Sequence, residues 1–309
     1  MILEVCVDST ASALAAKRGG ADRLELCADL IVGGTTPSLA LVRQVKAETG
    51  LPVRALLRPR FGDFCYDRYE LAQMEQLAAE LVAAGADGIV TGALTPEGDL
   101  DTAALRPIYA AARRAAREAG RPAACTLHRA FDVCRDPFAA LEAAKELQLA
   151  TILTSGQAAS APQGASLLHQ LVQAAGNDIE ILVGAGVGPA NLPDLAAQTG
   201  ARAFHLSGKK VLDSRMVFRR EGVPMGLPGS PSLTSGRPMK PLSGKYERFW
   251  IRLHKKRSSP RRRASFCVDP YNNLRLSGEA GSWEAAAGWE WCIFPSRAGW
   301  TPWPPRPRF

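Results

Sequence analysis

Between residues 1 and about 208 the chain alternates eight short, β-branched runs with longer stretches rich in Ala, Leu and Glu. The runs are 2–8 (ILEVCVD), 23–28 (RLELCA), 53–58 (VRALLR), 88–93 (GIVTGA), 123–129 (AACTLHR), 151–155 (TILTS), 179–184 (IEILVG) and 203–207 (AFHLS). Their starts lie 21–35 residues apart, the spacing of strand–helix units whose parallel strands need a long crossover. Eight such units in so short a chain predict a closed α/β fold, a (β/α)8 TIM-type barrel. An open doubly wound sheet is the alternative. A helix–Gly–strand junction recurs as GGADRLEL, AGADGIV and TGARAFHL, with the glycine at the helix C-cap. Apolar spacings of three and four predict a helix over 71–83 that ends at Gly85.

Side chains alternate faces along a strand, so each strand can be read as two rows. In the first strand Glu4, Cys6 and Asp8 share one face, and Leu3, Val5 and Val7 the other. In the second, Glu25 and Cys27 lie opposite Leu24 and Leu26. The aliphatic rows suit packing against helices, so the polar rows point into the barrel. The same parity turns Arg58, Thr126, His128, His205 and Ser207 inward. Burying a carboxylate costs several kcal/mol unless it is paired. This lumen is therefore an ionisable constellation close to the C-terminal strand ends, where such barrels build their sites.

The chemistry open to these residues falls into three kinds. In LLRPRFGDF, Arg58 and Arg60 either neutralise Glu4 and Glu25 or form a fork for a carboxylate or phosphate. The turns after the seventh and eighth strands carry Gly184, Gly186, Ser207 and Gly208, a place where many such barrels bind phosphate through backbone N–H groups. His128 ends the fifth strand, and with Glu4 and Glu25 across the lumen it makes an acid/base set. Cys6 and Cys27 stand on sequential strands, which lie about 4.8 Å apart in a sheet. Two thiolates at that separation suit a soft ion such as Cu(I), although no C-x-x-C or H-x-x-x-H spacing accompanies them. Buried cysteines are otherwise inert small hydrophobes.

Composition narrows the class. No uncharged apolar run reaches the ~18–20 residues of a membrane helix, and Glu4 and Asp8 interrupt the first apolar run, against a signal peptide. Seven cysteines without a C-x-x-C pair point to a reducing compartment. The net charge of +8 arises wholly in residues 227–309, which hold 15 Lys and Arg, 5 Asp and Glu, and all six Trp. That segment shows no helical or strand period, and we read it as an atypical basic tail, mostly disordered. Its run LHKKRSSPRRR is then no evidence for nucleic-acid binding.

Several motifs together resemble one known family. EVCVDS, GGADRLELCADLIVGGTTPS, RPRFGDFCY, GIVTGALTPEGDLD, TLHRAFDVCRDP, ILTSGQ and GAGVGPANL are similar, in order, to the CutC copper homeostasis protein family. The resemblance runs from residue 2 to about Gly226 and divides the chain into a barrel over 1–226 and the tail. It implies a (β/α)8 barrel, a cytoplasmic protein that in animals is also nuclear, a homo-oligomer, and a role in copper homeostasis with Cu(I) held by Cys6 and Cys27. Departures stand at Phe61, where the family usually has a second Gly, and at CYDRYE over 65–70. After residue 226 the family's closing region and final amphipathic helix are missing or replaced, which predicts a less stable barrel. The alternative is a barrel enzyme, with Glu4, Glu25 and His128 performing acid/base chemistry on a small anionic or phosphorylated substrate.

Overall fold

The computed structural model describes residues 1–208, 212–213, 216–218 and 234–235. The residue-226 boundary, the final helix and all of the tail except Thr234–Ser235 lie outside the described residues. Eight parallel strands form one closed barrel in sequence order. They are β1 (Ile2–Val7), β2 (Arg23–Leu26), β3 (Val53–Leu56), β4 (Gly88–Thr91), β5 (Ala124–Leu127), β6 (Thr151–Thr154), β7 (Glu180–Val183) and β8 (Ala203–Leu206). Seven helices follow the first seven strands: α1 (Thr10–Arg18), α2 (Leu39–Thr49), α3 (Arg68–Ala83), α4 (Thr102–Glu118), α5 (Pro137–Glu146), α6 (Ala165–Ala175) and α7 (Leu192–Thr199). Beyond the barrel, Leu212–Asp213 pairs antiparallel with Thr234–Ser235.

Every strand starts at or one residue after its expected position and stops one to two residues before its expected end. The difference matters for function. Cys27, Arg58, His128 and Ser207 lie just past the last strand residue, where the chain leaves the ladder and side chains can face a cavity. Helix α3 starts three residues earlier than its apolar period suggests. Asp67 caps it, accepting from the N–H groups of Tyr69 and Glu70, while Glu70 reaches back to the Asp67 N–H, a capping box that holds the first turn. At its other end Gly85 adopts φ +113°, a conformation that favours glycine.

The core lies between strands and helices. Leu3, Val5, Val7, Leu24 and Leu26 belong to one large buried apolar cluster with helix residues such as Val42, Val45 and Leu81. Outward aliphatic rows therefore meet helices, as the alternation requires. Inside, the barrel is polar over much of its length. Parallel register sets Glu4 beside Arg23 on one side and His205 on the other, and sets Glu25 beside Arg54.

Candidate functional site

The lower lumen is a closed ionic network. Arg23 donates to Glu4 Oε2 at 2.6 Å and to Glu180 Oε1 at 2.6 Å. Arg54 donates to Thr126 and Thr151 at 2.9 Å each, and its guanidinium lies 3.9 Å from Glu4. Thr151 in turn donates to Glu180 at 3.2 Å. His205 Nδ1 lies 2.9 Å from Glu4 Oε1. Burial alone would raise the Glu4 carboxyl, but His205, Arg23 and Arg54 outweigh it and pull it down to about 2. The same carboxylate, with Cys6, holds the His205 imidazolium well above its ordinary range against the cost of burial.

Above this network sits the thiol cluster. Cys6 and Cys27 are buried, their Sγ atoms 3.6 Å apart. That is far longer than a disulfide of about 2.05 Å, and both are free thiols. Their proximity follows from β1 and β2 pairing, with Cys6 opposite Glu25 and the Cys27 N–H bonded to the Val7 carbonyl. One ligand atom from each of Cys6, Glu25 and Cys27 falls within a 4.8 Å group. The Cys27 thiol donates toward Cys6 and, with His205, lowers the Cys6 thiol to about 5 despite burial. Burial and the neighbouring Cys6 push the Glu25 carboxyl up to about 8. The bonding to Cys6 and burial push Cys27 up as well. The cluster thus favours a thiolate at Cys6 over one at Cys27, beside a raised Glu25 carboxyl and the His205 imidazolium.

These residues open into a cavity of about 480 Å3 at the C-terminal mouth. Of the sequence candidates, it brings together Cys6, Cys27, Glu25, Arg58, His128, Gly186 and Ser207. Glu4, Arg60, Gly184 and Gly208 are not among the residues that line it. Glu4 lies deeper, inside the ionic network. Arg60 turns away to pair with Glu70 at 2.6 Å and Asp63 at 3.0 Å. Neither Arg58 nor Arg60 neutralises Glu4 or Glu25 among the described ion pairs; Arg23, Arg54 and His205 do. The sequence pattern alone does not single out Arg23 and Arg54, although they share strand parity with Glu25 and Arg58.

The cavity wall after β3 and β5 carries the Arg58 guanidinium beside the His128 imidazole. Arg58 donates to the carbonyls of Gly34 at 3.2 Å and Gly62 at 2.9 Å, and its guanidinium lies 5.0 Å over the Phe64 ring. His128 Nδ1 accepts from the Ala130 N–H at 3.2 Å, and its ring packs 4.7 Å from Phe64. Burial and the Arg58 charge lower the imidazole to about 3, so it is neutral at physiological pH with its proton on Nε2. Gly92 explains how it is seated: a Cβ there would approach His128 Nδ1 to 2.9 Å and Leu127 to 2.7 Å.

The CutC family profile matches residues 1–210, the whole barrel and both walls of the cavity. The chain belongs to the CutC family. It is 43% identical over 228 residues to a CutC family protein of Chromobacterium violaceum, covering 74% of this chain and 89% of that one. It is 41% identical over 225 residues to the Homo sapiens protein named copper homeostasis protein cutC homolog, covering 73% and 80%. A solved structure of a protein described as the putative copper homeostasis protein CutC from Streptococcus agalactiae matches with a TM-score of 0.61 at 30% identity, over 66% of this chain and 97% of that one. The thiol pair, Arg58 and His128 of this CutC chain all lie inside the matched region. No described helix is long and apolar enough to cross a membrane.

Proposed function

We propose that this chain serves copper homeostasis by holding Cu(I) as cargo between Cys6 and Cys27. The observation that carries the proposal is the pair of buried free thiols 3.6 Å apart at the wall of an open cavity. Thiolate is the protein ligand that soft Cu(I) prefers, and Cys27 and His205 hold the Cys6 thiol well below its ordinary range. Glu25 is a poorer ligand for this ion, because oxygen suits harder ions. The names of the human and Streptococcus agalactiae relatives support the same reading. We extend it to a cytoplasmic homo-oligomer, nuclear as well in animal members, which size-exclusion light scattering and imaging of a tagged chain would check.

Acid/base catalysis by Glu4, Glu25 and His128 fits the geometry less well. Glu4 is committed to Arg23 and His205, and His128 stays neutral down to about pH 3. Competition between the reduced protein and a chromogenic Cu(I) chelator tests the copper reading. A Cys65→Ser, Cys267→Ser, Cys292→Ser background removes the thiol that is exposed among the described residues and the two cysteines outside them. We expect about one Cu(I) per chain in that background and none held against the chelator after Cys6→Ser and Cys27→Ser together, since both ligand thiols are then gone. Equal retention by the two proteins would sink the proposal.

A further inference from the structure

The thiols and the ionic network account for part of the cavity lining and leave Arg58 and His128 unexplained. A buried polar atom without a partner is uncommon and asks for a reason. Among the described residues, two such atoms sit on side chains of residues that line this cavity: Arg58 Nε and His128 Nε2. Their side chains are about nine-tenths buried or more, with residue exposures of 9% and 5%. Both atoms are donors. Arg58 carries Nε–H, and His128 Nε2 carries the proton because Nδ1 accepts from Ala130. Arg58 has no carboxylate partner among the described ion pairs, whereas Arg129, beside His128 in sequence, is bonded to Asp132 at 2.7 Å. Phe64 packs against both the guanidinium and the imidazole, so one half-buried ring stands against both donors at the cavity wall. The rest of the cavity lining includes Leu30, Leu56, Leu153 and Val187.

We propose that Arg58 and His128 form an anion subsite for a small organic monocarboxylate, with Phe64 as the ring that moves aside to admit it. One guanidinium without a carboxylate partner among the described ion pairs balances one negative charge, and two N–H donors on side chains packed against the same ring match the two oxygens of a carboxylate. The leucines and Val187 suit its apolar part. A phosphate would carry more charge than Arg58 alone offsets. The site uses neither thiol, so the proposal does not depend on whether Cys6 and Cys27 take Cu(I).

The test uses the full, reduced, metal-free chain with 15N-labelled histidine, of which there are four. Propionate is titrated at constant ionic strength, with inorganic phosphate in a parallel arm. We expect the His128 Nε2 resonance to report the Nε2–H tautomer and to move saturably with propionate. Arg58→Gln, and separately Arg58→Lys, should raise the midpoint at least about tenfold, the scale of one lost charge-assisted hydrogen bond. The Cys6→Ser, Cys27→Ser double variant should bind propionate as before while losing Cu(I), which separates this proposal from the copper one. A His128 signal unmoved by ~100 mM propionate, far above any useful affinity, would overturn the subsite. So would tighter binding of phosphate, or an unchanged midpoint in both Arg58 variants. The first readout needs no substitution, so a variant that misfolds does not remove the test.

Discussion

His128 shows how a single side chain's surroundings decide its role. At a strand end it has the look of a general acid or base, yet burial and Arg58 lower it to about 3. It is therefore a fixed hydrogen-bond donor at neutral pH. The consequence for stability has a definite sign. The unfolded chain takes up a proton near pH 6.5 while the folded one resists until about 3, so the unfolded state binds more protons in that window. Stability contributed by neutral His128 is complete above pH 6.5 and is lost as pH falls through the window, by up to about 1.4 kcal/mol per pH unit. His128→Asn keeps an acceptor for the Ala130 N–H and cannot titrate. Urea unfolding between pH 4 and 7 should show a shallower acid-side loss for the variant, and identical slopes would contradict this assignment.

At the scale of one element, the connection from β2 to α2 supports both walls of the cavity. Gly33 and Gly34 adopt φ +92° and +94°. A Cβ on Gly34 would come within 2.9 Å of Leu56 and 3.7 Å of Cys27 Sγ, and its carbonyl accepts from Arg58. Glycine is required twice over, by conformation and by space. Gly34→Ala should cost about 1–3 kcal/mol from backbone strain alone and also lower Cu(I) affinity by crowding Cys27. Chemical denaturation together with chelator competition would check both effects. Unchanged stability would mean that the loop can adopt another path.

At the scale of the whole molecule, the barrel is tied across its lumen by charge rather than by a greasy plug. Glu4 is the hub, fully buried and bound to groups from β2 and β8, with Arg54 of β3 close by. Removing its charge while leaving Arg23 and His205 in place strands buried cations. We therefore expect Glu4→Gln to lose about 3–5 kcal/mol of stability, measured by denaturant unfolding at pH 7. A loss under about 1 kcal/mol, the level of an exposed pair, would show that the network contributes little. The predicted instability of a barrel without its final helix concerns residues outside those described. A chain truncated at Gly226 that melts as high as a relative with the usual closing region would refute that expectation.

The alternation of strand and helix patterns, with period-two rows inside each strand, was enough to specify eight strands, their connecting helices and which residues face the lumen. That is because face alternation and crossover length are local properties of the backbone. The same parity placed Glu4, Cys6, Glu25, Cys27 and His205 inside. Partnership was not legible in the same way. Nothing within β1 says that Glu4 meets Arg23 and His205, since those neighbours come from register between strands 19 and 201 residues away in sequence. Arg23 and Arg54 carry the same parity signal, but a charged residue at the start of a strand looks solvent-facing until the lumen around it is closed. The division between a thiol wall and a donor wall likewise came only with closure of the barrel. Closure sets Cys6 against Cys27 and Arg58 near His128, and the burial and neighbours that come with it shift the two thiols and the imidazole from their ordinary ranges.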